Sequence, residues 1–205
     1  MHFYSINSMK VNYGEGTSSG QQVVTAVGGS DSYDSIWTIK ESDARYINGK
    51  MCRTGEPIRC GYEVRFEHNV SGRNLHSHSG FKSPLSKRQE VSGYGDDGFG
   101  DGGDDWIIEC NTNKKFGNTK QEGEIVDGST LFHLKHMDTG YYLMTDTTDF
   151  NNKNCPRCPI ISHFEMSAVR AKTLDSLWSV HSGFFFPLRE IKPEDEPSRY
   201  QFINE

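Results

Sequence analysis

The sequence has no long apolar run, little Ala or Leu, and no excess of positive charge. No apolar stretch approaches the roughly 18 residues that a membrane-spanning helix needs, so we expect a soluble chain without membrane insertion. The net charge is −6 and the acidic residues are clustered, which disfavours a nucleic-acid partner because such proteins use a basic face to displace counterions. These absences exclude polyanion binders and membrane-spanning proteins from the expected classes.

Targeting signals are also missing from the two ends of the sequence. Met1–Lys10 lacks the charged start and apolar stretch of a signal peptide, and Gln201–Glu205 is not a retention tetrapeptide. Two interpretations stay open from these residues: a cytosolic protein, or a chain whose targeting segments have been removed.

Glycine and aromatic residues are what the sequence has in quantity. The 205 residues include 21 Gly, 12 Phe, 9 Tyr and 3 Trp. This texture favours short strands joined by tight turns over long helices. The length suits one domain with a single core.

Two parts of the chain repeat the same strand–turn–strand pattern. Glu63–His68 alternates apolar and polar residues as a half-buried strand does, Asn69–Gly72 has turn chemistry, and a second strand follows from Asn74. Residues 132–143 reproduce this order without a gap, with their turn at Asp138–Gly140. The pattern therefore predicts an internal repeat.

The three tryptophans mark a third copy of the repeat. Each of Trp37, Trp106 and Trp178 begins a short β-type run, and each follows a segment similar to Gln89-Glu90-Val91. Large aromatics in equivalent positions suit a threefold core, and a closed barrel leaves fewer open edges than a solenoid. We therefore predict an all-β fold, a β-trefoil with pseudo-threefold symmetry, over residues 1–190. Its repeats are expected at about 1–52, 53–115 and 116–190, with a C-terminal extension at 191–205.

Repeat one is expected to lack its first strand. Ile6 occupies the position of Leu75 and Leu143, so the preceding strand would lie upstream of Met1. Either the natural protein begins earlier or another segment fills this position. The segment Arg199–Ile203 has strand-forming residues and could do so.

Several segments resemble one known family, most densely in the central repeat. The matching stretches there are Leu75-His76-Ser77-His78, Ser83-Pro84-Leu85-Ser86, Gln89-Glu90-Val91-Ser92 and the acidic run that ends at Asp105-Trp106. They resemble the central MIR repeat of stromal cell-derived factor two proteins, and the resemblance runs from about Ile6 to Pro187. The expected fold is thus a β-trefoil of three MIR repeats.

The resemblance implies a binding protein and not an enzyme. Proteins of this family reside in the endoplasmic reticulum lumen, which they enter by a signal peptide of the secretory pathway. The expected partners are a J-domain co-chaperone, an Hsp70-type chaperone and misfolded client proteins, and the expected role is that of a chaperone cofactor in protein quality control. No cofactor is implied. MIR repeats also occur in protein O-mannosyltransferases, so a glycan-binding module linked to protein O-mannosylation is the alternative.

The contact surface is expected on repeat two, with one residue of repeat one beside it. Its candidate residues are Arg73, Asn74, His76, His78, Gln89, Glu90 and Gln22. In the carbohydrate-binding alternative, sugar faces would stack on Tyr13, Tyr94, Tyr141 and Tyr142. Lectins usually keep their pocket residues in several repeats, whereas these survive in one or two, so protein binding is favoured.

Two local features agree with the secretory pathway. The first and last strands of repeat two should be neighbours in a trefoil unit, so Cys60 and Cys110 are disulfide candidates, and a disulfide requires an oxidising compartment. Asn69-Val70-Ser71 is a glycosylation acceptor sequence on a predicted turn, with Asn69 as the modified residue. The pair Cys155 and Cys158 lacks a second pair of ligands, so we favour a loop disulfide or free thiols over zinc or redox catalysis.

Other patterns match catalytic or metal sites by their letters only. Residues 16–20 fit a nucleophile elbow, but a strand follows where a helix is needed. Residues 98–103 fit a dinucleotide loop, but the surrounding aspartates would repel phosphate, and they lack the spacing of a calcium loop. For His68, His76 and His78 we favour structural histidines, or part of a polar pocket, over a metal site. We predict no enzymatic activity and no metal.

Overall fold

The computed structural model describes residues 4–14, 18–29, 32–42, 56–96 and 99–183. Its strands are β1 (Tyr4–Asn7), β2 (Gln22–Val23), β3 (Thr25–Gly28), β4 (Trp37–Glu41), β5 (Glu63–His68), β6 (Asn74–Lys82), β7 (Gln89–Tyr94), β8 (Trp106–Cys110), β9 (Leu131–His136), β10 (Tyr142–Asp149), β11 (Phe164–Val169) and β12 (Trp178–Ser179). Its 3-10 helices are Tyr33–Ser35, Gly102–Asp104, Lys114–Phe116 and Leu174–Ser176. No helix in these ranges has the length and apolar character to cross a membrane.

Three repeats are joined by the same strand pairings. The last strand of a repeat pairs antiparallel with the first strand of the next, as β4 does with β5 and β8 with β9. Within repeat two β5 pairs with β6 and β8, and within repeat three β9 pairs with β10 and β12. The predicted all-β trefoil is confirmed, whereas the exact bounds of the repeats stay predictions.

The third strands of the three repeats meet around the pseudo-threefold axis. In repeat one this position is shared by β2 and β3, and in the other repeats it is β7 and β11. The register pairs are Gln22–Gly93, Gln89–Ala168 and Phe164–Ala26. The residues two positions after the start of each segment are Val24, Val91 and Met166, and none of them has exposed surface. The sequence similarity around Gln22 and Gln89 thus reflects one packing position used three times.

A tryptophan at the start of each fourth strand closes the same contact in every repeat. The indole N–H donates to a backbone carbonyl in the second strand of its own repeat. The pairs are Trp37 to Ile6 at 2.9 Å, Trp106 to Leu75 at 2.8 Å and Trp178 to Leu143 at 2.9 Å. Trp106 has no exposed surface, while Trp37 and Trp178 are only half-buried.

Repeat one supplies three of its four strand positions within the described residues. β1 is equivalent to β6 and β10, and no described residue fills the position of a first strand beside β12. The segment 199–203, expected as a substitute, lies outside the described residues. The expected extension 191–205 lies outside them as well.

Replacing Trp106 with alanine should lower the free energy of unfolding more than the same change at Trp178. Trp106→Ala empties a fully buried site and orphans the Leu75 carbonyl, so a loss of about 3–5 kcal/mol is expected. Trp178 is partly exposed, so its replacement removes less buried surface. Urea unfolding of both variants measures the difference, and equal losses would contradict the unequal packing of the three repeats.

Candidate functional site

A hydrogen-bonded relay joins repeat one to repeat two. Gln22 Nε2 donates to Ser8 Oγ at 2.7 Å and to Ser71 Oγ at 3.1 Å, so both of its amide protons are used. Ser71 Oγ lies 2.9 Å from His68 Nδ1, and His68 Nε2 lies 3.1 Å from the Asp34 carbonyl oxygen. Because a carbonyl only accepts, Nε2 carries the proton and Nδ1 accepts from the Ser71 hydroxyl.

The same relay joins repeat two to repeat three. Gln89 Nε2 donates to Ser77 Oγ at 2.8 Å and to Thr139 Oγ1 at 3.0 Å. Thr139 Oγ1 lies 2.9 Å from His136 Nδ1, and His136 Nε2 lies 2.9 Å from the Gly103 carbonyl oxygen. Burial lowers the pKa of both His68 and His136, which favours the neutral ring that each relay requires. Gln22 and Gln89 therefore hold repeats together.

Two buried glutamates hold the loop of the preceding repeat. Glu165 accepts the backbone N–H groups of Leu85 at 2.6 Å and Ser86 at 2.9 Å. Glu90 accepts the backbone N–H of Ser19 at 3.3 Å and also its hydroxyl. Burial raises the pKa of Glu90 above its ordinary value. Glu90 thus fixes a loop and does not face a partner.

His76 lies beneath the acidic loop of repeat two. Its Nδ1 is 2.9 Å from Asp104 Oδ1, and the Asn74 amide donates to Asp104 Oδ2 at 3.1 Å. Asp104 has no exposed surface. Beside this pair, Arg65 Nε donates to Asp105 Oδ1 at 2.7 Å. His76 and Asn74, which were expected at the surface, are therefore hydrogen-bonded to a buried carboxylate.

His76, Asp101 and Asp104 are close enough to resemble a metal site. Asp101 Oδ1 lies 3.6 Å from the His76 Nδ1 atom. Repeat one offers the comparison that decides the interpretation, because Asn7 and Ser35 occupy the equivalent positions. There the Asn7 amide donates to Ser35 Oγ at 3.2 Å. A hydrogen bond between the second strand and the 3-10 helix is thus shared by repeats one and two, and a metal is not needed to explain His76.

The burial of the expected contact residues corrects the surface predicted from the sequence. The fully buried members are Gln22, Asn74, His76, Gln89 and Glu90. Arg73 is half-buried, and His78 is exposed, with its Nδ1 accepting the Gly80 N–H at 3.0 Å. Each of these buried side chains makes hydrogen bonds within the fold, so of the seven expected residues only Arg73 and His78 keep substantial exposure.

The tyrosines expected to stack on sugars also differ from that expectation. Tyr13 is buried, and its hydroxyl lies 3.0 Å from the Val91 carbonyl, which it can donate to. Burial raises the pKa of Tyr13. Tyr142 donates to Glu109 Oε2 at 3.1 Å, and burial raises its pKa to about 12. The Tyr94 ring contacts His76 at 4.7 Å between centroids. Tyr13 is therefore unavailable to a ligand, whereas Tyr94, Tyr141 and Tyr142 keep some exposure.

An open polar depression lies between repeats one and two. Its volume is about 330 Å³, and its lining residues are Lys10, Asn12, Gln22, Ser71, Arg73 and Asp96. The Gln22 amide and the Ser71 hydroxyl are already used in the relay. Two cationic side chains, one carboxylate and the Asn12 amide can therefore hydrogen-bond hydroxyl groups of a ligand. Gln22 and Arg73 are the two sequence-predicted residues that the structure brings together here.

An acidic hairpin projects from repeat two beside this depression. We use this name for residues 94–96 and 99–101. Asp96 and Phe99 exchange backbone hydrogen bonds of 3.0 and 2.9 Å, which pair the two sides of the hairpin. Phe99 is 81% exposed. Phe99 was not among the contact residues expected from the sequence, although an aromatic residue within an acidic glycine-rich run is a signal that points to it.

Cys60 and Cys110 form a disulfide, with an S–S distance of 2.03 Å and a Cα–Cα distance of 5.4 Å. Both are buried and join the start of repeat two to the end of β8. Cys155 and Cys158 form a second disulfide within one loop. Asn69 is exposed in the turn after β5, where a glycan could be attached, and its modification stays a prediction.

Comparison with known proteins identifies relatives over most of the chain. The MIR domain family matches residues 8–169. Stromal cell-derived factor 2-like protein 1 of Homo sapiens is 33% identical over 197 residues, which cover 96% of this chain and 76% of that protein. Stromal cell-derived factor 2 of Bos taurus is 35% identical over 190 residues, which cover 93% of this chain and 78% of that protein.

Solved structures show the same similarity. The crystal structure of the SDF2-like protein from Arabidopsis thaliana has a TM-score of 0.75 at 28% identity, and the match covers 93% of this chain and 94% of that chain. The S. cerevisiae protein O-mannosyltransferase Pmt1-Pmt2 complex bound to the sugar donor gives a TM-score of 0.66 at 28% identity. That match covers 85% of this chain but 22% of the transferase chain.

Replacing His136 with glutamine should make the free energy of unfolding less sensitive to acid. The folded pKa of His136 is lowered, so its contribution is fully present above the unfolded value of about 6.5 and is lost as the pH falls through the folded value. Each unit between the two pKa values contributes about 1.4 kcal/mol to this loss. Glu90 has a raised pKa and acts in the opposite direction, but it is present in both proteins and cancels.

The measurement is urea unfolding at about pH 7.5 and about pH 5.5 for wild type, His136→Gln and the exposed control His78→Gln. Only His136→Gln should narrow the difference between the two pH values. An unchanged difference in that variant would show that His136 does not enter the fold as a neutral ring.

Proposed function

This chain belongs to the stromal cell-derived factor 2-like family of MIR-domain proteins, and we propose that it is a non-catalytic binding protein of the endoplasmic reticulum lumen. In this proposal it assists an Hsp70-type chaperone and its J-domain partner in the quality control of secretory proteins. The observation that carries the proposal is the match to stand-alone family members over 96% of the chain. The two disulfides in the described residues support an oxidising compartment.

The use of the buried polar groups supports binding over catalysis. His68, His136 and Glu90 have shifted pKa values, which are often found in active sites. Each is explained by the relays and loop contacts that hold the repeats together. A catalytic site also needs a nucleophile, a base and an orienting group around one open position, and none of these three residues lines the open depression between repeats one and two.

The acidic hairpin is the surface that we propose for protein contact. Phe99 offers an exposed aromatic ring, and Asp96 and Asp101 beside it are exposed carboxylates. Aromatic residues that enter a partner's pocket often dominate binding free energies, and surrounding charges select the partner's sign. A complementary partner surface is apolar at its centre and basic at its edge. Arg73 lines the depression together with Asp96 and so lies beside the hairpin.

Replacing Phe99 with alanine should weaken capture of the chaperone pair from an endoplasmic reticulum extract. The loss of one central aromatic contact corresponds to about 2 kcal/mol, or roughly thirtyfold in affinity. Tyr33→Ala is the matched control, because Tyr33 is also 81% exposed but lies on repeat one. An affinity pull-down followed by identification of the J-domain protein and Hsp70 measures the effect.

The outcomes of this pull-down separate the competing functions. Capture by wild type and by Tyr33→Ala, with loss in Phe99→Ala, supports both the partner and the surface. Equal capture by all three proteins keeps the partner and rejects the acidic hairpin. Absence of the chaperone pair from the wild-type sample would contradict the proposed function.

A glycan-binding module linked to protein O-mannosylation is the second candidate function. The polar depression between repeats one and two favours it, because Lys10, Asn12 and Arg73 converge there with hydrogen-bonding groups. A TM-score of 0.66 to a protein O-mannosyltransferase complex bound to the sugar donor is a further reason to test it. The lining contains no aromatic ring, which is unlike the stacking platform that was expected for a sugar.

Replacing Lys10 and Arg73 together with alanine should abolish binding on a glycan array if this second candidate is correct. The double change removes two donors from the depression while leaving Gln22 and its relay in place. His78→Ala serves as the control on the same repeat. Binding that persists in the double variant, or a wild-type protein that binds no glycan, would contradict the glycan function.

A further inference from the structure

The two disulfides of the described chain differ in their surroundings. Cys60 and Cys110 are 2% and 6% exposed and lie 50 residues apart in the sequence. Cys155 and Cys158 are half-buried, lie three residues apart, and have Cα atoms separated by 5.6 Å. The first disulfide is enclosed in the core, whereas the cysteines of the second one are partly exposed and pack against a small apolar cluster.

The loop that holds Cys155 and Cys158 is an elaboration of repeat three. Repeat two connects β6 to β7 through residues 83–88, while repeat three uses residues 150–163 to connect β10 to β11. The loop contains exposed Pro156 and Arg157 between the two cysteines. The trefoil fold does not require this longer loop or its two cysteines, because repeat two joins its second and third strands without them.

The ends of this loop are anchored by contacts that do not involve sulfur. Phe150 and Ile160 are buried in a small cluster with Tyr13 and Val23. The Phe150 N–H donates to the His163 carbonyl at 2.8 Å, and the Ser162 N–H donates to the Phe150 carbonyl at 2.7 Å. The loop can therefore keep its attachment to the trefoil when the sulfurs are reduced.

A disulfide that closes such a short segment contributes little by restricting the unfolded chain. In the chain-entropy account, the contribution grows with the length of the closed loop, and the sequence separation of the two cysteines is 3 here, against 50 for Cys60–Cys110. A buried disulfide is also protected from attacking thiols, whereas an accessible one is not. Stability alone thus explains Cys60–Cys110 better than it explains Cys155–Cys158.

The charges around the pair favour a reactive thiolate. Lys153 and Arg157 are the only charged residues between Phe150 and Ile160, and both are exposed cations. A cation near a cysteine stabilises its thiolate, which is both the attacking and the leaving form in exchange reactions. The sequence left redox chemistry as a less favoured alternative for this pair, and the accessible loop with its cations changes that balance.

We propose that Cys155–Cys158 is a thiol–disulfide exchange site whose substrates are accessible thiols, with glutathione as the probe. A substrate thiolate attacks one sulfur, the Cys155–Cys158 bond breaks, and its electron pair leaves as a thiolate on the other sulfur, which takes up a proton. A second substrate thiolate then attacks the mixed disulfide. Two thiols are oxidised to one disulfide, and the protein disulfide is reduced to two thiols. This inference does not depend on the proposed chaperone function.

The test measures both disulfides in the same molecule. The protein, carrying Cys52→Ser to remove the fifth cysteine, is equilibrated in buffers of increasing reduced-to-oxidised glutathione ratio. Free thiols are then alkylated, and the cysteine-containing peptides are quantified by mass spectrometry. Cys155 and Cys158 should become alkylated at a ratio at least about tenfold lower than Cys60 and Cys110, because their disulfide is accessible and closes a short loop.

Single variants then test the mechanism of exchange. Cys155→Ser and Cys158→Ser should each accumulate a mixed disulfide with glutathione, since the second cysteine that would resolve it is missing. Arg157→Ala should slow exchange by about two- to fivefold at low salt and by less at high salt, while Arg157→Lys keeps the rate. The salt dependence of Arg157→Ala and the unchanged rate of Arg157→Lys distinguish an effect of charge from a change in loop structure.

Two results would overturn the proposal. The first is opening of both disulfides at the same glutathione ratio. The second is failure of Cys155 and Cys158 to pair in oxidised glutathione while Cys60 and Cys110 do. Neither result bears on capture of the chaperone pair, so the exchange site and the proposed function can fail separately.

Discussion

A buried polar group must find a hydrogen-bond partner, and this requirement connects the three repeats. An amide or imidazole left without a partner in the core costs about 1–3 kcal/mol, so each buried glutamine and histidine needs complementary groups. The fold meets this need across its repeat boundaries, where Gln22 and Gln89 donate to hydroxyl groups of the following repeat. These groups also bind the turns after β5 and β9 through Ser71 and Thr139, and they favour the neutral form of His68 and His136.

The architecture was accessible from the sequence because its signals recur. Alternating strands at 63–68 and 132–136, and tryptophans at equivalent positions, predict a threefold arrangement without any knowledge of contacts. The orientation of polar residues was not accessible in the same way. Strands such as β7 contact other strands or loops on both faces, so alternation does not separate the buried Gln89 and Glu90 from a solvent-facing position.

The accessible residues of the candidate site differ from the expected ones for the same reason. Polar side chains in the central repeat match the family most closely, but most of them are structural, and the accessible groups are Arg73, His78 and the exposed Phe99. Phe99 is not part of a periodic pattern of apolar residues, so a search for such patterns does not identify it. Repeat three departs from the other two repeats. Phe164 stands where they have the glutamine of the relay, and its longer loop contains two cysteines.

The relays have a consequence for how this protein can be divided. His68 belongs to repeat two but its Nε2 faces the Asp34 carbonyl of repeat one, and His136 of repeat three faces Gly103 of repeat two. Cutting the chain between repeats would strand a donor on one fragment and its acceptor on the other. A solenoid can lose a module from its end and keep its remaining interfaces. In this protein the smallest piece that could be transplanted or fused intact is the whole trefoil.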